Sequence, residues 1–488
     1  MDTLTESYQE NVALFDRTLR IGTNFDVIKK TVAVGDAGDE LTLYYIDGFI
    51  EGASMQKLLS GLLSRKGIAG GSDGSTYLPS GKENAEAFVR YALPHVECDV
   101  TDDGETMLTL VLSGAALLLG SRFESSAVII DARTYPVRSV GEPEDDRVMK
   151  GARDGFVETL IFNTALIRRR IRDPNFTTEH FTVGRVSRSD VVLCYIAGRA
   201  DEGYVSALRK RIESIDVDDL SLGHQSLVEC LIRKRWFNPF PKVRTTGRPD
   251  AAACQLVEGS VLVIVDNSPE VIVLPTAIFD FLEETNDFYM PPLTGGYLRA
   301  VRIAVFFLTL FLIPVWFLSI RYADVLPEWI YVILPQSEGR LPLITQLLLV
   351  EFLIDGLRLA SMNTPDMLSN SLSVVGGLIL GDFAVGIGLL IPEVILLMAF
   401  VSIANFSQRS YQLGYALKFL RVILLVLTAL FGIWGFLSGV LLVVVLLVTN
   451  RTLNGRRRYL DPLSPLRPRA LRTILTRVKK PIGGKGDQ

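Results

Sequence analysis

The sequence has 488 residues, of which 49% are hydrophobic and 21% are charged, and its mean hydropathy is +0.31. This hydropathy is high for a wholly soluble protein, and the charged fraction excludes a chain that lies entirely in lipid. Residues 1–296 carry 44 acidic and 31 basic side chains whereas the remainder is basic, which indicates an acidic soluble part followed by a basic, membrane-embedded part.

The cysteines and histidines form no recognisable catalytic or metal-binding pattern. Cys98, Cys194, Cys230 and Cys254 lie far apart without a C-x-x-C pair, so neither a disulfide framework nor a zinc site is predicted. With three histidines and no nucleophile motif, we expect no enzyme, cofactor, metal or nucleic-acid partner. The polar N-terminus lacks a signal-peptide pattern, so we expect the front half to be cytoplasmic.

A strand pattern occurs twice in the soluble part, after a segment, residues 1–35, predicted as a polar helix. Leu41–Gly48 and Val191–Gly198 are rich in β-forming residues, end in glycine and are offset by 150 residues. Each leads into a helix-like segment, Met55–Ser64 in one case and Val205–Ile215 in the other.

Two predicted β-hairpins follow these strands in matching order. They span Gly114–Asp131 and Glu258–Leu274, and turn residues interrupt both. A matched order at nearly fixed spacing predicts two similar α/β lobes, residues 36–150 and residues 151–296.

A helix is predicted at Gly151–Arg172, where the second lobe begins. It ends in the basic run Arg168–Arg170, which could bind an anion but which we interpret as a solvated helix end suited to the helix dipole. The glycine-rich segment Gly67–Ser75 lacks the lysine of a phosphate-binding loop and is predicted as a plain loop.

The chain is predicted to enter the bilayer at Ile303–Ile320. These eighteen uncharged residues would form a helix of about 27 Å, close to the ~30 Å hydrocarbon core. Residues 321–340 are predicted as an exposed loop.

The last apolar segment, Val422–Asn450, is too long for one ordinary crossing. We predict a helical hairpin turned at glycines, with two basic side chains reaching toward one membrane surface. The glycines are Gly432, Gly435 and Gly439, and the basic residues are Lys418 and Arg421.

The stretch between these segments is apolar but contains acidic residues. Leu341–Leu359 has helical periodicity, and Glu351, Asp355 and Arg358 fall on one face, where they could compensate one another. It is either a span with a polar stripe or an amphipathic helix at the interface.

Two further segments complete this stretch. Met367–Ile391 is long enough to cross, with Asp382 near its middle. Glu393–Phe406 is short for a span and is interpreted as re-entrant or as a short pore helix. Together the segments predict four to six spans in a transmembrane domain, residues 297–453. A basic tail, residues 454–488, follows and is expected in the cytoplasm.

The acidic residues are the candidate functional groups. A charge at the bilayer centre costs at least ~2.5–3.5 kcal/mol, so such residues usually face a bundle interior or a watery path. Rings of carboxylates favour cations. The candidates for an ion path are, in order, Glu393, Asp382, Glu351 and Asp355. The alternative for each is a structural acid paired across helices.

Motifs spread over more than 300 residues resemble the A subunits of GerA-type spore germinant receptors, and within them the stage V sporulation protein AF group. They include Arg133–Arg138, Thr246–Asp250, Gly376–Asp382, Ile391–Val394 and Asp461–Pro465.

The resemblance implies a multi-pass protein of the spore inner membrane with both termini in the cytoplasm. It also implies a two-lobed cytoplasmic α/β domain and homo-oligomeric rings that conduct cations during spore germination. Membrane lipid and other small membrane subunits or germinant receptor components are the implied partners.

One motif departs from the family pattern, and it bears on the alternatives. Gly356–Ala360 lacks a glutamate that usually follows its arginine, which disfavours direct nutrient sensing. The alternative function is a non-conducting receptor or scaffold whose lobes bind a ligand and signal to partner membrane proteins. A secondary transporter is disfavoured by the small span count and the lack of a repeat in the membrane half.

Overall fold

The structure is a computed structural model that divides into two compact units. The α/β unit comprises Met1–Lys234, Val243–Pro275 and Leu453–Arg456, and the helical unit comprises Arg235–Lys242, Thr276–Thr452 and Arg457–Gln488. The described residues are 4–34, 39–50, 52–63, 81–93, 97–133, 146, 151–232, 237–284, 287, 289–336, 339–363, 383–408, 410–450, 459–461 and 463.

The first lobe contains a five-stranded antiparallel sheet with the strand order β1-β2-β4-β5-β3. Its strands are β1 (Val27–Val34), β2 (Asp39–Ile46), β3 (Cys98–Thr101), β4 (Ala116–Gly120) and β5 (Ala127–Ile130). Its helices are α1 (Tyr8–Thr18), α2 (Gly52–Leu63), α3 (Lys82–Ala92) and α4 (Gly104–Leu112). Both faces of the sheet are covered, because β4 and β5 are buried at every position.

The second lobe repeats this arrangement with the order β6-β7-β9-β10-β8. Its strands are β6 (Phe176–Val183), β7 (Ser189–Ile196), β8 (Arg244–Thr246), β9 (Val261–Val265) and β10 (Val271–Leu274). Its helices are α5 (Leu160–Arg168), α6 (Glu202–Glu213), α7 (His224–Leu231) and α8 (Pro249–Val257). The identical order confirms the predicted similarity of the lobes and the predicted strands and hairpins.

Two helix predictions in this unit are wrong in part. Residues 1–35 form α1 but also β1, which pairs antiparallel with β2 and whose buried residues Val27 and Val32 lie on opposite faces of the sheet. In the predicted helix Gly151–Arg172, regular helix begins only at Leu160. Residues 151–159 form no regular helix, and the Asn163 side chain accepts a hydrogen bond from the N–H of Val157 and donates one to the carbonyl oxygen of Val157.

A buried ion pair joins the two lobes. Arg168 donates from Nε and Nη2 to the carboxylate of Asp26 at 2.7 and 2.9 Å, and both side chains are about 1% exposed. Thr178 donates to the same carboxylate, and its N–H donates to Asn24 Oδ1 at 2.8 Å. The interpretation of the basic run as a solvated helix end is therefore wrong for Arg168.

The helical unit contains five main helices in its described part. They are α9 (Pro292–Arg321), α10 (Leu343–Asn363), α11 (Pro392–Phe406), α12 (Tyr411–Phe431) and α13 (Ile433–Thr449). By length and composition α9 and α12 could cross a membrane, and α11 and α13 are shorter apolar helices. The predicted count of four to six spans stays a prediction.

The predicted helical hairpin is present, and its glycines have two different roles. Gly432 separates α12 from α13 with φ +61°, a conformation that favours glycine. A Cβ on Gly435 would lie 1.8 Å from the carbonyl oxygen of Leu427, and one on Gly439 would lie 2.3 Å from Leu424 Cδ1. Gly435 and Gly439 therefore allow α12 and α13 to approach closely.

Candidate functional site

Four charged side chains meet between α10 and α12 in the helical unit. Glu351 and Asp355 are one turn apart on α10, and Lys418 and Arg421 are about one turn apart on α12, so each pair lies on one helix face. Arg421 Nη2 lies 2.6 Å from Glu351 Oε1, and Lys418 Nζ lies 3.4 Å from the same oxygen. Lys418 also forms an ion pair with Asp355.

The same cluster reaches a third helix. Arg421 Nη1 donates to the backbone carbonyl of Thr309 on α9 at 3.0 Å. A carbonyl in the middle of a helix already accepts one backbone hydrogen bond, and its second lone pair is available for this contact. One guanidinium therefore connects α9, α10 and α12.

Burial makes the pairing energetically necessary. Lys418 and Arg421 are only 6% and 3% exposed, and the two cations balance the two carboxylates. A buried charge without its partner is strongly destabilising, whereas a complete set of pairs is tolerated. The prediction that Lys418 and Arg421 reach toward the membrane surface is therefore wrong.

Among the contacts of the described residues, Arg358 lies against aromatic rings, and the predicted compensation of Glu351 and Asp355 comes from Lys418 and Arg421. The guanidinium of Arg358 lies over the rings of Phe406, Tyr411 and Tyr415, 5.1, 5.2 and 4.8 Å from their centroids. These distances are within the range of cation–π attraction. The acids on α10 are instead neutralised by cations from α12, a neighbour that their spacing along α10 does not reveal.

Glu393 lies in the first turn of α11, after Pro392 at the helix start. A carboxylate suits this position because the helix dipole is positive there. The backbone N–H of Gln336 points to Glu393 Oε1 at 3.4 Å. Glu393 Oε2 is buried, and no hydrogen-bond donor reaches it among the residues that the structure describes.

The loop before α11 is fixed by polar contacts. Gln346 Oε1 accepts from the N–H of Ile391 at 2.9 Å, and the N–H of Arg340 donates to the carbonyl of Gly388, also at 2.9 Å. Gly388 has φ +70°. These contacts set the position from which α11 starts, and with it the position of Glu393.

The remaining predicted site residue, Asp382, lies outside the described residues. The same holds for most of the predicted span Met367–Ile391, of which residues 383–391 are described. The glycine-rich segment Gly67–Ser75 is also outside them.

A second charged cluster was not predicted from the sequence. Asp287 is fully buried, Arg302 Nη1 lies 2.8 Å from its Oδ2, and Arg299 Nε lies 3.4 Å from the same oxygen. Arg302 also pairs with Glu284. The available signal was the run of acids that shortly precedes two arginines one turn apart at the start of α9. This cluster anchors the first turns of α9.

Comparisons with known proteins bear on the whole chain. The family model described as "Bacillus/Clostridium GerA spore germination protein" matches residues 17–483. Stage V sporulation protein AF of Bacillus subtilis (strain 168) is 35% identical over 479 residues, which cover 97% of this chain and 92% of that protein. Spore germination protein KA of the same organism is 26% identical over 480 residues, covering 97% and 85%.

A solved structure is also similar to part of this chain. It is the crystal structure of the N-terminal domain of the A subunit of the Bacillus megaterium spore germinant receptor GerK3, with 24% identity and a TM-score of 0.41. The match covers 56% of this chain and 96% of that chain. The extent of the family match and the 35% identity over nearly the full length show that the chain belongs to the GerA family of spore germination proteins.

Proposed function

We propose that this chain is a subunit of an oligomeric, cation-conducting channel of the spore inner membrane that acts in germination. Family membership supports the role in germination. The proposed activity is conduction rather than catalysis. The observation that carries the proposal is the environment of Glu393.

Glu393 is an acidic residue whose hydrogen bonding is incomplete among the described residues. Its Oε2 is buried at the start of an apolar helix, and it has no donor among the described residues. A buried carboxylate oxygen that is not hydrogen-bonded is costly. Water in a path shared by several copies would remove that cost. Copies of Glu393 around such a path would form a carboxylate ring, which favours cations.

Glu351 and Asp355 have a different role in this proposal. Their charges are balanced by Lys418 and Arg421, so they offer no net negative charge to an ion. They hold α10 against α12 and thereby fix the scaffold of the path. Asp382 stays a candidate path residue.

The surface of the helical unit supports lipid and a second copy as partners. Large apolar side chains are exposed along α13, among them Trp434, Leu441 and Val448. Lipid tails or a neighbouring subunit would cover such a surface. Further membrane subunits or receptor components stay part of the proposal as partners.

The alternative is a non-conducting receptor or scaffold that binds a ligand through its lobes. A ligand that closed the lobes by a hinge motion would have to break the buried pair between Asp26 and Arg168. Breaking such a pair costs about 3–5 kcal/mol. This cost disfavours a hinge mechanism, and with it the form of the alternative that depends on a cleft between the lobes.

Potassium flux from liposomes tests the proposal. Glu393→Gln removes the charge at nearly constant volume, and at a few ångströms an ion gains about 1–4 kcal/mol from one carboxylate, so we expect flux at least about fivefold lower. Glu328→Gln is the matched control, because Glu328 is exposed in a short turn between helices. Unchanged flux and selectivity in Glu393→Gln would exclude Glu393 as a path residue.

A further inference from the structure

The two lobes differ at one position where their shared fold makes a direct comparison possible. β2 and β7 correspond at an offset of 150 residues, as do α2 and α6, and the burial patterns of the two strands are identical. Tyr45 therefore corresponds to Tyr195, and Leu59 on α2 corresponds to Arg209 on α6.

In the second lobe a polar network covers the space between the strand and the helix. Arg209 donates from Nε to Glu179 Oε2 at 2.6 Å and from Nη2 to Oε1 at 2.5 Å. The Tyr195 hydroxyl donates to Glu179 Oε1 at 2.6 Å. The stem and guanidinium of Arg209 thus occupy this position.

In the first lobe the corresponding space is an open cavity of about 410 Å³. Its wall is largely apolar, and its polar lining groups are one carboxylate, one phenol, one amide and one hydroxyl. Of the lining residues, those that matter here are Tyr45, Asp47, Ile50, Met55 and Leu59. The volume lies in the range of small-molecule sites, which combine an apolar wall with a few polar groups.

The carboxylate of Asp47 is the charged group of this cavity. Its Oδ1 accepts from the N–H of Gly48 at 2.9 Å, and the structure gives it no ion pair within the described part of the lobe. Burial and then the nearby Asp47 charge raise the pKa of Tyr45, so the phenol stays protonated and able to donate. Asp47 replaces Ala197 of the second lobe, so the charge is particular to the first lobe.

We propose that this cavity binds a small organic cation, a guanidinium or ammonium group on a short apolar chain. The cationic head would lie against Asp47 and the apolar chain against Met55 and Leu59, in the space that Arg209 fills in the second lobe. This site is independent of conduction by the helical unit. Lys30, which corresponds to Glu179 by strand register, is exposed at the same face and is not part of the cavity wall.

Calorimetric titration of the full chain in detergent with n-butylguanidinium chloride tests the proposal. We expect saturable binding, and binding at least about tenfold weaker for the neutral analogue n-butylurea and for Asp47→Asn, because each removes a charge-assisted hydrogen bond. Leu59→Arg should abolish binding, because it places in the cavity the arginine side chain that the second lobe has at the corresponding position, Arg209.

Two controls separate the cavity from the rest of the surface. Lys57 lies on the exposed face of α2, away from the cavity wall, so Lys57→Ala should leave the affinity for n-butylguanidinium unchanged. Lys30→Met should not weaken the binding of n-butylguanidinium, because removing a nearby positive charge does not disfavour a cation, and a loss of binding there would overturn the proposal. Absence of saturable binding, or equal affinity in wild type and Asp47→Asn, would also overturn it. A circular-dichroism spectrum checks that each variant is folded.

Discussion

The guanidinium of Arg421 and the carboxylate of Glu351 lie 2.6 Å apart in the interior of the helical unit. Arg421 also donates to Thr309, so this pair determines how three helices meet. Either charge alone would be unfavourable in this apolar environment, whereas the two together form a specific ion pair between helices.

Replacing only one member of this pair should be strongly destabilising. Arg421→Met leaves Glu351 with one cation instead of two, and we expect a loss of about 3–5 kcal/mol in the free energy of unfolding. The double variant Glu351→Gln/Arg421→Met restores neutrality and should recover most of that loss. Thermal unfolding in detergent measures both. Equal destabilisation of the single and double variants would contradict the assigned pairing.

The ion pair between the lobes provides a second test. Asp26→Asn should lower the free energy of unfolding of the α/β unit by about 3–5 kcal/mol, because the buried guanidinium of Arg168 loses its partner. Lys29→Met breaks the partly exposed pair with Asp16 and should cost at most about 1 kcal/mol. Urea unfolding followed by far-UV circular dichroism compares them. Similar midpoints for the two variants would be inconsistent with a buried link between the lobes.

The hairpin of α12 and α13 should not tolerate a methyl group at its close contact. Gly435→Ala would place Cβ against the backbone of Leu427. Because a backbone atom cannot move aside as the end of a flexible side chain can, the substitution should cost about 1–3 kcal/mol in the free energy of unfolding. Gly356→Ala on α10 is the matched control, because no atom lies within 4 Å of the added Cβ. It should be neutral or stabilising by up to ~1 kcal/mol. Thermal midpoints that fall equally in both variants would contradict the assigned contact.

A pH dependence is predicted for the second lobe. His224 Nδ1 lies 2.6 Å from Ser268 Oγ, and Nε2 lies 3.4 Å from Glu270. Burial lowers the pKa of His224, although the Glu270 carboxylate opposes this effect. The folded protein therefore binds a proton less readily than the unfolded chain, whose histidine titrates near ~6.5.

The stability contributed by His224 should be complete above that pH and should decline as the pH falls below it. Urea midpoints between pH 7.5 and pH 5 should decrease less steeply in His224→Gln than in the wild type. An identical slope in both proteins would show that His224 does not cause the dependence.

The features predicted correctly from the sequence are those that depend on residues adjacent in the chain. β2, β7 and both hairpins are continuous β-forming runs with turn residues, and Gly432 interrupts an apolar helix, so each signal is local. Outer strands such as β3, Cys98–Thr101, were missed because they are short and largely polar. Their place in a sheet depends on pairing with β5 rather than on their own composition.

The candidate site could be predicted only in part for the same reason. The acids Glu351 and Glu393 stand out in apolar segments, but their partners are distant in sequence. Arg421 lies seventy residues after Glu351, and Arg168 lies 142 residues after Asp26. Periodicity places a side chain on a face and does not identify the helix that faces it.

The central claim is that copies of this chain conduct cations past Glu393. Currents through planar bilayers containing the purified protein, recorded under a potassium chloride gradient, test it most directly. The account predicts a reversal potential displaced toward the potassium equilibrium potential, and a smaller displacement in Glu393→Gln. Bilayers without current, or a displacement toward the chloride equilibrium potential, would contradict it.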